Sequence, residues 1–124
     1  MAISLSRTLC TLTLLLSSLT TPVVFAHAHL QHQYPAADVA VDAAPQALTL
    51  NFSEGIEPRF SGVTLTDEKQ QPVATGAVTR NEKDQTQLIV PLVSSLAAGT
   101  YQVSWHVVSV DGHKTEGSYR FSVK

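Results

Sequence analysis

The residues of this sequence best suited to chemistry are its five histidines, three of them close together in His27-Ala28-His29-Leu30-Gln31-His32 and the others at His106 and His113. If export trims the chain to begin at His27, that residue offers an α-amine and an imidazole nitrogen that close a chelate ring on one metal ion. A second imidazole then completes three nitrogens in a T-shaped plane, the tetragonal arrangement that Cu(II) prefers, and Cu(II) tops the divalent affinity series. His113 is the natural source. It ends Val110-Asp111-Gly112-His113, a turn in which Gly112 permits a tight or left-handed bend. Asp111 and His113 are spaced i, i+2, which in extended backbone puts both on one face, so the carboxylate and the imidazole converge on one ion or on each other. Taken alone, the same turn also suits an Asp that caps it and a solvent-exposed His.

Other candidates leave alternatives open. His29, third from the proposed N-terminus, either lets the amine, deprotonated amides and its imidazole wrap Cu(II) or is a surface strand residue. Glu54, in Phe52-Ser53-Glu54-Gly55, either orients the amine or an imidazole from behind or is a turn residue. His32 and His106 read as outward-facing strand residues. Nucleophilic catalysis lacks its parts: the only cysteine is Cys10, and there is no G-x-S-x-G elbow and no Gly-rich phosphate loop.

Positioning such a site requires export and a rigid scaffold, and both are written in the chain. Residues 1–26 carry one positive charge at Arg7, an apolar run from Leu9 to Leu19 and small residues around Val24-Phe25-Ala26. That is the layout of a secretory signal peptide cut after Ala26, with a second A-x-A site at Ala26-His27-Ala28. Removing it costs one basic residue and moves the net charge from −2 to −3, with no basic patch to serve as a footprint for nucleic acid. The mature chain, residues 27–124, shows no helical periodicity but alternates in short runs: Ala47 to Phe52, Phe60 to Thr66, Gln87 to Pro91, Thr100 to Ser109 and Ser118 to Val123. Weaker runs lie near His29 to Tyr34, Pro72 to Ala74 and Ala77 to Arg80. Asp67 to Gln71 and Asn81 to Gln85 read as solvated hairpin turns. Seven or eight short strands with frequent turn signals predict an all-β fold, an immunoglobulin-like antiparallel β-sandwich with Greek-key connections and no disulfide.

With the leading His27, Phe52-Ser53-Glu54, Ala98-Gly99-Thr100-Tyr101 and above all the W-x-V-V-S-x-D-x-H run from Trp105 to His113, the chain resembles the CopC family of periplasmic copper-resistance proteins, most nearly its short enterobacterial type. The resemblance spans residues 27–124. It implies one Cu(II) per chain held by the amine and imidazole of His27, the imidazole of His113 and the carboxylate of Asp111, with Glu54 close by. It also implies a periplasmic carrier or buffer, not an enzyme, whose partner is an inner-membrane CopD-type copper transporter. The mature chain departs from Met-rich relatives in having no methionine, which removes the soft ligands that Cu(I) favours. Two other classes compete: an oxygen-activating histidine-brace copper enzyme, and an immunoglobulin-like interaction module with incidental histidines. The expected mature N-terminus is His27. Intact mass of the exported protein checks it, and a chain beginning at His29 would remove the chelating residue altogether.

Overall fold

The structure, a computed structural model, describes residues 28–124; the expected leader, its expected cleavage site and His27 lie outside the described residues. Among the described residues the strands are Leu30–Tyr34 (β1), Ala40–Val41 (β2), Ala47–Phe52 (β3), Gly62–Thr66 (β4), Pro72–Val73 (β5), Thr79–Asn81 (β6), Asp84–Pro91 (β7), Gly99–Val108 (β8) and Lys114–Val123 (β9). Pro58–Phe60 forms a short 3-10 turn. One sheet has the order β1-β3-β7-β6 and the other β2-β9-β8-β4-β5. Every strand pair is antiparallel except β2 with β9.

Alternation produces this sandwich because successive strand side chains point to opposite faces. On β3 the buried set is Leu48, Leu50 and Phe52, and across the sheet β7 adds Leu88 and Val90. The facing sheet contributes Val63 and Leu65 from β4, Tyr101, Val103 and Val107 from β8, and Tyr119, Phe121 and Val123 from β9. Phe52 meets Trp105 edge to face with ring centroids 5.1 Å apart, and Tyr101 stacks on Phe121 at 5.7 Å. Burial pushes the Tyr119 phenol's pKa up.

The expected all-β sandwich is present, with differences at its margins. The two-residue strand β2 carries too short a pattern to read from sequence; it lies parallel to β9, Ala40 opposite Ser122. The expected strand start at Phe60 is instead the end of the 3-10 turn, and Phe60 is largely exposed. β9 begins at Lys114, four residues before the run from Ser118, because it pairs with β8 without a break from Lys114 opposite Val108 to Val123 opposite Gly99. Pairing with a long neighbour sets that boundary rather than the strand's own alternation.

Both sheets meet at one end through the connection between β3 and β4. Ile56, fully buried, donates its N–H to Gln85 O at 2.9 Å and bridges Ser109. Its neighbours reinforce the seam: Val110 N–H donates to Gly55 O at 2.9 Å and Glu57 N–H to Val108 O at 2.8 Å. This seam places the segment holding Glu54 beside the turn holding Asp111 and His113.

Gly117 lies opposite Trp105 on β8, and a Cβ there would come within 2.6 Å of the indole Cζ2. Gly117→Ala is therefore expected to destabilise the protein by about 1–3 kcal/mol through overpacking. Urea unfolding followed by Trp105 fluorescence checks the loss, and near-ultraviolet circular dichroism should show the displaced indole.

Candidate metal centre

The turn joining β8 to β9 is closed by its own backbone, with Ser109 N–H donating to His113 O at 2.9 Å and Gly112 N–H to Ser109 O at 2.8 Å. Gly112 has φ +91°, a conformation that disfavours residues with a Cβ. Ser109 is buried, and its hydroxyl donates a hydrogen bond to Asp111 Oδ1. The same oxygen accepts His113 N–H at 3.2 Å, while Asp111 Oδ2 lies 3.0 Å from His113 Nδ1. Of the two arrangements that the i, i+2 spacing leaves open, carboxylate and imidazole meet each other. An Nδ1–H donated to the carboxylate leaves Nε2 as the nitrogen with a lone pair for a metal, the way carboxylates orient ligating imidazoles.

These hydrogen bonds hold Asp111 ionised. The Ser109 hydroxyl first, then the imidazole and amide of His113, bring its pKa from the ordinary 3.8 down to about 2. The pair is open to solvent, with side-chain exposures of 42% for His113 and 37% for Asp111, so a hydrated ion can reach it.

The start of the described chain is tied to the same end. Ala28 is buried, and its carbonyl accepts the Thr115 hydroxyl at 3.0 Å, two residues beyond His113. His29 N–H donates to Ser53 Oγ at 2.8 Å, and Ser53 N–H donates to His29 O at 2.8 Å. Glu54 follows Ser53, and the next carbonyl, that of Gly55, accepts the Val110 amide. Thus the residue after His27, the Glu54 segment and the Asp111–His113 pair share one end of the sandwich. His32 stands exposed on β1, and His106 lies on the outer face of β8 between Gly62 and Glu116, as outward-facing strand residues should. Among the described residues no three His, Cys, Asp or Glu side chains gather around one point. Asp111 and His113 make a pair, and further donors have to come from elsewhere.

Sequence reasoning assigned no role to Ser109, Thr115 or Ser53. The usable signal was at Ser109 alone: a serine at the end of a strongly apolar strand, two residues before an aspartate, needs a partner once buried. Ser53 and Thr115 join the site through contacts distant in sequence, which spacing does not reveal.

Because the folded pKa of Asp111 is depressed, its contribution to stability is complete above its unfolded value near 4 and is lost as pH falls through about 2. Ser109→Ala should raise the Asp111 carboxyl toward its ordinary value, and Asp111→Asn should flatten the metal-free protein's stability profile between about pH 4 and 2. Carbon-detected titration of the Asp111 carboxyl and acid-dependent urea unfolding check the two outcomes.

The fold agrees with what the chain is similar to. The family model described as the CopC domain matches residues 30–124. Protein YobA of Escherichia coli (strain K12) is 64% identical over 113 residues, 91% of each chain. Copper resistance protein C of Xanthomonas campestris pv. juglandis is 36% identical over 119 residues, 92% of this chain and 93% of that one. Among solved structures, CopC from Methylosinus trichosporium OB3b superposes with a TM-score of 0.74 at 33% identity, covering 79% of this chain and 94% of its own. PcoC, a methionine-rich copper resistance protein from Escherichia coli, gives 0.71 at 39% identity, covering 80% of this chain and all of its own. With the matched domain spanning the described sandwich almost end to end, the chain belongs to the CopC family.

Proposed function

We propose that this chain is a periplasmic Cu(II)-binding protein that carries or buffers copper in copper homeostasis or resistance, exported by the leader of residues 1–26. One ion per chain is held by the amine and imidazole of His27 and by His113, with Asp111 orienting the His113 ring and available as a weak ligand, and Glu54 alongside. The observation that carries this reading is the hydrogen bond from Thr115 to the Ala28 carbonyl, which tethers the residue following His27 two positions from His113. Relatives named copper resistance protein C support copper as the cargo. The donors are nitrogen and oxygen, a set suited to Cu(II). Unlike the relative described as methionine rich, this chain has Met1 as its single methionine, within the leader, so Cu(I) lacks the thioethers it favours. Its acceptor is an inner-membrane transporter of the CopD type.

Carriage is favoured over oxygen activation because, among the described residues, the exposed Asp111–His113 pair lies outside the grooves of the neighbouring surface. A groove of about 380 Å³ beside it, lined by Phe60, His106, Lys114 and Glu116, includes neither side chain of the pair. Ascorbate-driven peroxide formation at a rate above that of free copper would reverse this assignment.

Substitution ranks the roles. Asp111→Asn should weaken Cu(II) by about 10–100-fold if the carboxylate acts chiefly through His113, and His113→Ala should cost more than that because it removes a donor. Glu54→Gln should cost least, and an extra residue ahead of His27 should weaken binding sharply by opening the amine chelate. Competition titrations against a Cu(II) chelator check the order; a His113→Ala protein with parental affinity would contradict it.

A further inference from the structure

A free chain that begins His-Ala-His can hold Cu(II) in two ways. One uses the amine and imidazole of the first residue. The other runs from the amine through the amide nitrogens of the second and third residues to the third residue's imidazole, and each amide releases its proton to solvent as its nitrogen coordinates. The second mode needs the peptide group between Ala28 and His29 to turn its nitrogen toward the ion and the backbone to curl into one plane. In the folded protein that peptide group is gripped at both ends. Its carbonyl, on Ala28, accepts the Thr115 hydroxyl at 3.0 Å, and its N–H, on His29, is donated to Ser53 Oγ at 2.8 Å. The chain then enters β1 at Leu30, and the His29 carbonyl is held by the Ser53 amide. Ala28 itself is 1% exposed, so curling the backbone there would have to pull it out of its packing, while His29 next to it lies at the surface.

We propose that Ser53 and Thr115 are specificity-determining residues for the copper site: by clamping the Ala28–His29 peptide group they withhold His29 from the ion and leave the N-terminal chelate to combine with His113. This rests on the function proposed above and adds the choice between two coordination modes. His29 is then a residue on the rim of the site, outside the coordination sphere, although its position in the sequence suits the wrapping mode. Ser53 comes from the corner after β3 and Thr115 from β9, so the clamp exists once the two sheets have closed on each other, and the unfolded chain binds copper differently from the folded one.

The test uses the mature protein loaded with one equivalent of Cu(II) and read by visible absorption and electron paramagnetic resonance. The same protein unfolded in urea supplies the reference spectrum of the wrapped mode, recognisable by the stronger ligand field of deprotonated amides. The folded parent should lack that signature, and His29→Ala should leave its spectrum and affinity unchanged. Ser53→Ala with Thr115→Val should admit the wrapped component and weaken the original mode by about tenfold. Without metal, exchange of the His29 amide should be slow in the parent and faster in Ser53→Ala, whose side chain lies at the surface and leaves the core untouched. A parental spectrum that changes in His29→Ala overturns the proposal. So does a parental spectrum in the double variant once its His29 amide exchanges freely. His113→Ala separates the two levels: a spectrum sensitive to both His113 and His29 overturns the clamp alone, whereas one insensitive to His113 overturns the copper site on which the clamp depends.

Discussion

Leaving a buried hydroxyl without an acceptor is costly, and at Ser109 the acceptor it finds organises the end of the molecule that holds the candidate site. The backbone of Ser109 closes the turn, its amide donating to His113 O and its carbonyl accepting from Gly112. The hydroxyl is thereby aimed at Asp111, and the carboxylate so fixed turns its other oxygen to His113 Nδ1. One serine, 1% exposed, is therefore the largest single cause of the lowered Asp111 pKa and fixes the carboxylate that meets the imidazole. It is also the residue that bridges Ile56, so the geometry of the turn and the closure of the two sheets are a single constraint.

The strands that alternate strictly were legible in the sequence. β3 and β8 are present within a residue of where their patterns put them, because each has a core on one face and water on the other. β2 and the early start of β9 were not, since both are set by pairing with a neighbour rather than by their own residues. At the site, Asp111 and His113 could be named from spacing, but spacing could not decide whether they face an ion or each other. Ser109 decides that locally. Ser53 and Thr115 look like ordinary strand-end residues, and their importance lies in hydrogen bonds to a segment 24 and 87 residues away, which no short motif encodes.

On the function proposed here, the copper ion would join parts of the molecule that folding alone only brings close. β1 is an edge strand of the four-stranded sheet, whereas His113 leads into β9 of the other. Binding through the N-terminal residue and His113 together requires the closed sandwich, so copper should raise the protein's stability by as much as it binds this folded mode more tightly than the wrapped mode of the unfolded chain. The same arrangement suits delivery. The pair is exposed at the tip of a hairpin, with Val110 also exposed beside it, so an acceptor can approach the ion without the core opening.

The central claim is that the N-terminal histidine and His113 share one ion, and pulsed electron paramagnetic resonance tests it most directly by counting the imidazoles bound to Cu(II) through their remote nitrogens. The mature protein should show two equatorial imidazoles, with one remaining in His113→Ala. A single imidazole in the parent, or an unchanged pair in the variant, would contradict it.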